Sequence, residues 1–312
     1  MTFFRYPGGK TKLRMQIIKR LNRLLENDFE YREPFLGGGS IGTELLLNSS
    51  KVGTVWLNDK DFALSCLWTS VIRHPSDLIA KIAAFAPSIE SFDQFKQRLL
   101  LPPPAACNDL DVVAYGFEKL AVHQMSFSGL GTKSGGPLGG RYPSAESLIG
   151  CRWSRNKMIR HVRMLHEIFK FHPIRGGCCT SVDFAEVIDD TSSDAVLYLD
   201  PPYFDKGSEL YQHGFTALDH ERLAYSLERT KHRWLLSYDD CDEIRNLYGW
   251  ATVEKVRNVP YTINAPKNDS SCEPTVLRKT ELLISNPNQP TFAGLFESTE
   301  PQKPIWEYCD AA

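Results

Sequence analysis

The chain has 312 residues, 42% of them hydrophobic and 24% charged, with a formal net charge of −2. Length and composition fit a globular protein with one large α/β domain plus an insertion, or two modest domains. They argue against a membrane-spanning chain, because no stretch approaches the roughly 20 apolar residues of a span, and against a uniformly basic nucleic-acid binder.

In chain order, residues 12–27 carry apolar side chains at 13, 17, 21, 24 and 25, a helical stripe with a basic opposite face. A short strand is predicted at 29–33, running into EPFLGGGSIG, with a helix from Ser40. VGTVWL at 52–57 predicts a second strand that ends in NDKD. From about residue 63 to 176 the strand–helix rhythm is lost. That stretch holds helical pieces, a triple-proline loop at 102–104 and the glycine-rich run SFSGLGTKSGGPLGGRYP at 126–143. A basic amphipathic helix is predicted at 155–171, with apolar positions 158, 162, 165 and 169. The alternation then resumes: strand 195–199, helix 217–229, strand 234–238, helix 240–248, and strands at 251–256 and 281–285. Strands alternating with helices predict a mostly parallel sheet covered on both faces.

The N-terminal MTFFRYPGGK has no apolar h-region or small-residue cleavage site, so a cytoplasmic location is expected. Eight scattered cysteines, none spaced Cys-x-x-Cys, read as reduced thiols. No metal site is expected: His161 and His166 are five apart on a helix, off a common face, and read as surface or phosphate-facing residues. Charge is unevenly spread. Residues 1–32 hold eight Lys and Arg against three acids, residues 141–175 eight against two, and the tail 291–312 four acids against one Lys. Two basic patches on a near-neutral chain suit a cleft that grips phosphates with one wall.

AVLYLDPPYF, residues 195–204, reads as a covered strand that stops on a carboxylate and two prolines. The fixed φ of Pro201 and Pro202 holds Tyr203 and Phe204 in a narrow range of directions from Asp200, making a polar-then-aromatic lip. Ligands bind at such lips at the carboxyl ends of strands in open α/β sheets. GGGS at 37–40 lies between strand and helix, where glycine lets the backbone approach a ligand and the helix offers free N–H groups. Asp59 ends the next strand about 20 residues later, as an acid that accepts ribose hydroxyls or as a cap on the following helix. PGGKT at 7–11 is not a triphosphate loop, because Phe4 occupies the position where that pattern needs glycine.

Taken in order, RYPGGK, EPFLGGGSIG, NDKD, SVDF and LDPPYF resemble the Dam-like (D12 class) DNA adenine N6-methyltransferases, over roughly residues 5 to 285. GFTALDHERLAYSL, WLLSYDD and KTELLIS resemble the later blocks of that family. Asp-Pro-Pro-Tyr alone recurs in RNA and protein amide methyltransferases; the full set in this order is far more specific. The resemblance implies a Rossmann-like fold dependent on S-adenosylmethionine (SAM), with a seven-stranded, mostly parallel sheet whose final strand is antiparallel. It implies a catalytic, SAM-binding domain from 1–62 and 177–290, an inserted, mainly helical target-recognition domain at 63–176, and a tail at 291–312. Tyr6 and Lys10 then match the pair that closes over the methionine part of SAM, with tyrosine where Dam itself has tryptophan. Phe35, Gly37 and Gly39 match the glycine loop, Asp59 the ribose acid, and Asp183 and Phe184 the contacts to the SAM adenine ring. Asp200, Pro201, Pro202 and Tyr203 match the catalytic block, with Asp200 also bordering the cofactor.

Adenine N6 is a poor nucleophile because its lone pair is delocalised into the ring. Asp200 and a nearby carbonyl, that of Pro201, can each accept an N6 hydrogen and favour the pyramidal transition state. Tyr203 can stack on the base, which must first be flipped out of the duplex. Lys133, Arg141, Arg152, Arg155 and Lys157 are the candidate phosphate contacts, and the glycines from 129 to 140 a flexible finger that orders on DNA. The expected partner is double-stranded DNA, with neither metal nor membrane, and the expected state is a monomer. The alternatives are an RNA adenine or cytosine-amine methyltransferase of the same fold, and a catalytically silent DNA-binding relative.

Overall fold

The apolar runs bounded by turn signals fold as strands whose two faces are both covered. In the computed structural model, residues 6, 10, 13–26, 28–142, 148–204, 214–262 and 276–287 are described, with side chains described up to 257 and from 280 in the last two strands. The expected tail at 291–312 lies outside the described residues. The strands are β1 (Phe29–Glu33), β2 (Val52–Leu57), β3 (Ala195–Leu199), β4 (Arg233–Asp239), β5 (Thr252–Thr262) and β6 (Val276–Ser285). They form one sheet in the order β2-β1-β3-β4-β6-β5, in which β1 to β4 are parallel and β6 is antiparallel to both its neighbours.

Six strands stand among the described residues, where seven were expected. On the outer edge of β2 the chain makes only isolated parallel bridges, Ile174 to Val55 and Thr180 to Asn58. Between them lies a 3-10 turn at Arg175–Gly177, with Gly176 and Gly177 at φ of 65° and 64°. Two successive left-handed residues turn the backbone out of the extended region, so the pairing cannot run on.

Strand periodicity divides the core in two. Val196, Tyr198, Leu235 and Leu283 point to one face, where they join the apolar stripes of α1 (Arg14–Leu24) and α2 (Ser40–Asn48). The same core continues through α3 (Phe62–Arg73), α4 (Pro75–Ala84), α5 (Ile89–Leu100), α6 (Asp109–Met125) and α7 (Arg155–Lys170). The intervening residues Leu197, Leu199, Trp234, Leu236 and Ile284 face the other side, covered by α8 (Phe184–Asp189), α9 (Ala217–Arg229) and α10 (Asp242–Leu247). All the apolar positions read in α1 and α7 are buried. Capping boxes at Ser88, Asn108 and Thr216 start α5, α6 and α9 by satisfying otherwise orphaned N–H groups.

Two histidines depart from expectation. His161 is buried, and His166 is half-buried with Nδ1 3.1 Å from the Val71 carbonyl. The reason is that α7 is packed against α3 and α4 as well as α2, so its inward face is broader than the apolar stripe alone. No helix among the described residues is long and apolar enough to cross a membrane.

Candidate active site

β1 has β2 on one side and β3 on the other, so the loops leaving the carboxyl ends of β1 and β3 diverge. A crevice opens there, at the point where the strand order reverses. It is a cavity of about 460 Å³, bordered by Tyr6, Glu33, the 34–41 loop, residues 58–61, Val182 to Phe184, Asp200, Pro202 and Phe215.

Gly37 and Gly39 take φ of 50° and 63°, the left-handed turn that brings the 37–39 backbone to the cavity wall. A Cβ on Gly39 would lie 2.5 Å from the Trp68 ring, and Trp68 Nε1 donates to the Gly37 carbonyl at 3.0 Å. Gly37 N donates to Asp59 Oδ2 at 2.8 Å, and Asp61 N donates to Asp59 Oδ1 at 2.9 Å. The helix cap is Asp61, which accepts from Leu64 N and pairs with the buried Lys119 at 2.5 Å. Asp59 is therefore not the cap of α3, and its carboxylate borders the cavity. Burial, reinforced by the Asp61 charge, pushes Asp59 up to about 7.

Glu33 also borders the cavity and was not singled out from the sequence. It accepts from the Tyr31 hydroxyl at 2.9 Å, and burial pushes it up to about 8 despite that hydrogen bond. The signal was present, since Glu33 is the last residue of a covered strand and opens the glycine-loop block.

The opposite end is aromatic. Phe35, Phe184 and Phe215 form a triangle with ring centroids 5.6 to 5.7 Å apart. Asp183 caps α8, accepting from Ala185 N at 3.0 Å, and pairs with Arg222 Nη2 at 2.9 Å. The Arg222 guanidinium lies 5.0 Å over the Phe184 ring. Phe215 and Arg222 were missed, because both come from distant segments that only the fold brings here.

Asp200 sits at the mouth of β3, with burial raising its carboxyl above the ordinary range against the opposing pull of Lys10. Its Oδ1 is 2.8 Å from Lys10 Nζ and accepts from Ser237 Oγ at 3.1 Å. Lys10 is 4% exposed and also hydrogen-bonds the Tyr203 hydroxyl. Tyr203 is half-buried, and its hydroxyl donates to Glu281 Oε2 at 2.6 Å. Pro201 is buried, Pro202 borders the cavity, and Phe204 lies 5.0 Å from the His220 ring. Tyr6 lies over the glycine loop, where a Cβ on Gly37 would be 3.0 Å from its ring, and its centroid is 5.4 Å from that of His123.

The basic candidates are all exposed, away from the cavity lining. Arg141 is held in a two-bond pair with Asp93, at 2.8 and 2.9 Å. Arg155 Nη2 reaches the Phe85 carbonyl at 3.5 Å. The described part of the glycine-rich run is tied by hydrogen bonds into a compact loop. Leu138 N donates to the Met125 carbonyl, Phe127 N to Gly136 and Gly131 N to Ser126 Oγ, while the Gly129 carbonyl meets His123 Nδ1.

No curated protein matches the chain significantly. The family model of the D12 class N6 adenine-specific DNA methyltransferases matches residues 6–104 and 166–259, more than half of the chain. The two matched stretches contain the glycine loop, Asp59, Asp183 and the Asp-Pro-Pro-Tyr lip that meet around the cavity, and the chain belongs to that family.

Proposed function

We propose that this protein transfers the methyl group of SAM to N6 of an adenine flipped out of duplex DNA. The observation that carries the reading is one cavity with a glycine loop and the Asp59 carboxylate at one side and Asp200 at another. Its volume of about 460 Å³ is within the range of small-molecule sites.

The donor set fits SAM. Asp59 would accept the ribose hydroxyls, and the Phe35, Phe184 and Phe215 rings with Asp183 would hold its adenine. Glu33 would face the methionine ammonium under Tyr6. Two buried carboxylates with raised affinity for protons are sites that a cationic ligand satisfies better than water does. Bound there, SAM supplies an electrophilic methyl group. Asp200 Oδ2 accepts one N6 hydrogen of the target adenine and the Pro201 carbonyl the other, which draws the amine toward the pyramidal geometry of transfer. Tyr203, two residues beyond Pro201 at the same lip, would contribute an aromatic face for the base.

Flipping costs a few kcal/mol, which contacts from Lys133, Arg152, Arg155 and Lys157 to phosphate offset. Residues 1–62 with 177–290 form the catalytic unit in this reading, and 63–176 the target-recognition region. The test is transfer of radiolabel from SAM to a duplex containing adenine, with RNA and adenine-free duplex as competitors. Label on N6 of DNA adenine supports the reading; SAM binding without such transfer refutes it.

A further inference from the structure

One buried carboxylate beside the site, that of Glu281, has no role in this mechanism. Glu281 is 1% exposed and lies on β6, paired in register with Asp239 at the carboxyl end of β4. Because β6 is antiparallel, it brings this carboxylate to the edge of the sheet where β3 ends on Asp200. Glu281 Oε2 accepts from the Tyr203 hydroxyl at 2.6 Å and lies 3.7 Å from Lys10 Nζ. The Lys10 ammonium, 4.3 Å from the Tyr203 ring centroid, is thus held between two carboxylates.

The arrangement at Asp200 is one-sided. Lys10 and Ser237 both end on Oδ1, and among the described residues no hydrogen bond reaches Oδ2. An ammonium facing a single carboxylate settles between its two oxygens, where it would compete with any substrate donor. A second carboxylate on the far side draws it off that centre. We propose that Glu281 is a positioning residue that keeps Lys10 on Asp200 Oδ1 and so leaves Oδ2 open to the target amine. The proposal rests on the methyl-transfer reading. Neutralising Glu281 gives the whole of the Lys10 charge to Asp200, weakening Asp200 as an acceptor without touching the cofactor end of the cavity.

The experiment compares the full chain with Glu281→Gln, Lys10→Met and the double variant, measuring single-turnover methylation, SAM affinity and melting temperature. In Glu281→Gln the transfer rate is expected to fall roughly tenfold or more, the size of a charged hydrogen bond, with SAM affinity held within about twofold. In the Lys10→Met background the same change is expected to cost nothing further, because the ammonium it restrains is gone. A merely structural role would add undiminished. Should Glu281→Gln melt early, Glu281→Asp, which keeps the charge, is expected to retain most of the rate. The proposal is overturned if Glu281→Gln matches the parent, if its loss lies in SAM affinity, if it adds fully to Lys10→Met, or if Glu281→Asp is as slow as Glu281→Gln. No transfer by the parent overturns the methyltransferase reading as well; transfer by the parent with an unaffected Glu281→Gln overturns this one alone.

Discussion

The Lys10 ammonium and the Ser237 hydroxyl reach the same oxygen of Asp200, at 2.8 Å and 3.1 Å. Ser237 is fully buried and also meets the Tyr198 hydroxyl at 3.0 Å. Ser237→Ala removes a donor that fixes the carboxylate plane while leaving the cavity lining intact. The expected result is a fall in kcat of about three- to tenfold and a stability loss of about 1 kcal/mol, the size of one buried hydrogen bond. SAM affinity is expected to stay the same, and a titration alongside the rate measurement checks it.

Glu33 and Asp59 hold protons in the ligand-free protein at a pH where the unfolded chain does not, with values pushed up to about 8 and about 7. For a carboxyl raised on folding, stability is lost as pH rises from the unfolded value toward the folded one. Between about pH 6.5 and 8 both acids lose protons in the folded protein, so their contribution is expected to lower the melting temperature across that window, less steeply in Glu33→Gln. SAM binding needs both groups ionised, so its affinity is expected to rise with pH over the same range, with protons released on binding. Calorimetry in two buffers of different ionisation heat reads that release. An affinity flat in pH would contradict the assignment of both carboxylates to the cofactor.

Gly39 has φ of 63° and the Trp68 ring where a side chain would go. Gly39→Ala costs about 1–2 kcal/mol for the left-handed backbone, before Trp68 is displaced. A drop of at least about 2 °C in melting temperature is expected, together with loss of SAM binding. Gly135 has nothing within 4 Å of a built Cβ, so Gly135→Ala is expected to melt with the parent. Scanning calorimetry of the pair separates a site-specific requirement from a general intolerance of alanine.

Among the basic candidates, Arg141 is neutralised in place by Asp93, whose carboxyl is held below the usual range by that guanidinium. Arg155 and Lys157 are both exposed in the first turn of α7. Arg155→Ala and Lys157→Ala are each expected to weaken duplex binding and lower the slope of log K against log salt by about 1. Arg141→Ala is expected to have the smaller effect. Fluorescence anisotropy over a salt series measures both quantities.

The central strands were legible because their chemistry is local. Ala195 to Leu199 is a covered apolar run stopped by proline, and β3 has those bounds. β5 and β6 outran their sequence signals, reaching Thr262 and back to Val276, because the outer part of that antiparallel pair is held by backbone pairing and carries polar residues such as Arg278 and Lys279. The seventh strand was implied by the family resemblance alone, and beside β2 the turn at Gly176 and Gly177 leaves only isolated bridges. At the site, Asp59 and the glycine loop were readable from spacing after a strand. The neighbours of Asp200 were not, since Lys10, Ser237 and Glu281 come from three segments that meet only when β4 and β6 lie beside β3. Whether Asp59 caps the following helix or faces the cavity likewise required the backbone to be in place.

The most direct test pairs Asp200→Ala with the parent protein and asks for SAM affinity and N6-methyladenine in duplex DNA from the same preparations. The expected result is N6-methyladenine from the parent, transfer lowered by at least about a thousandfold in Asp200→Ala, and similar SAM affinity in both. Undiminished methylation by Asp200→Ala, or a parent that binds SAM and leaves adenine unmodified, would contradict it.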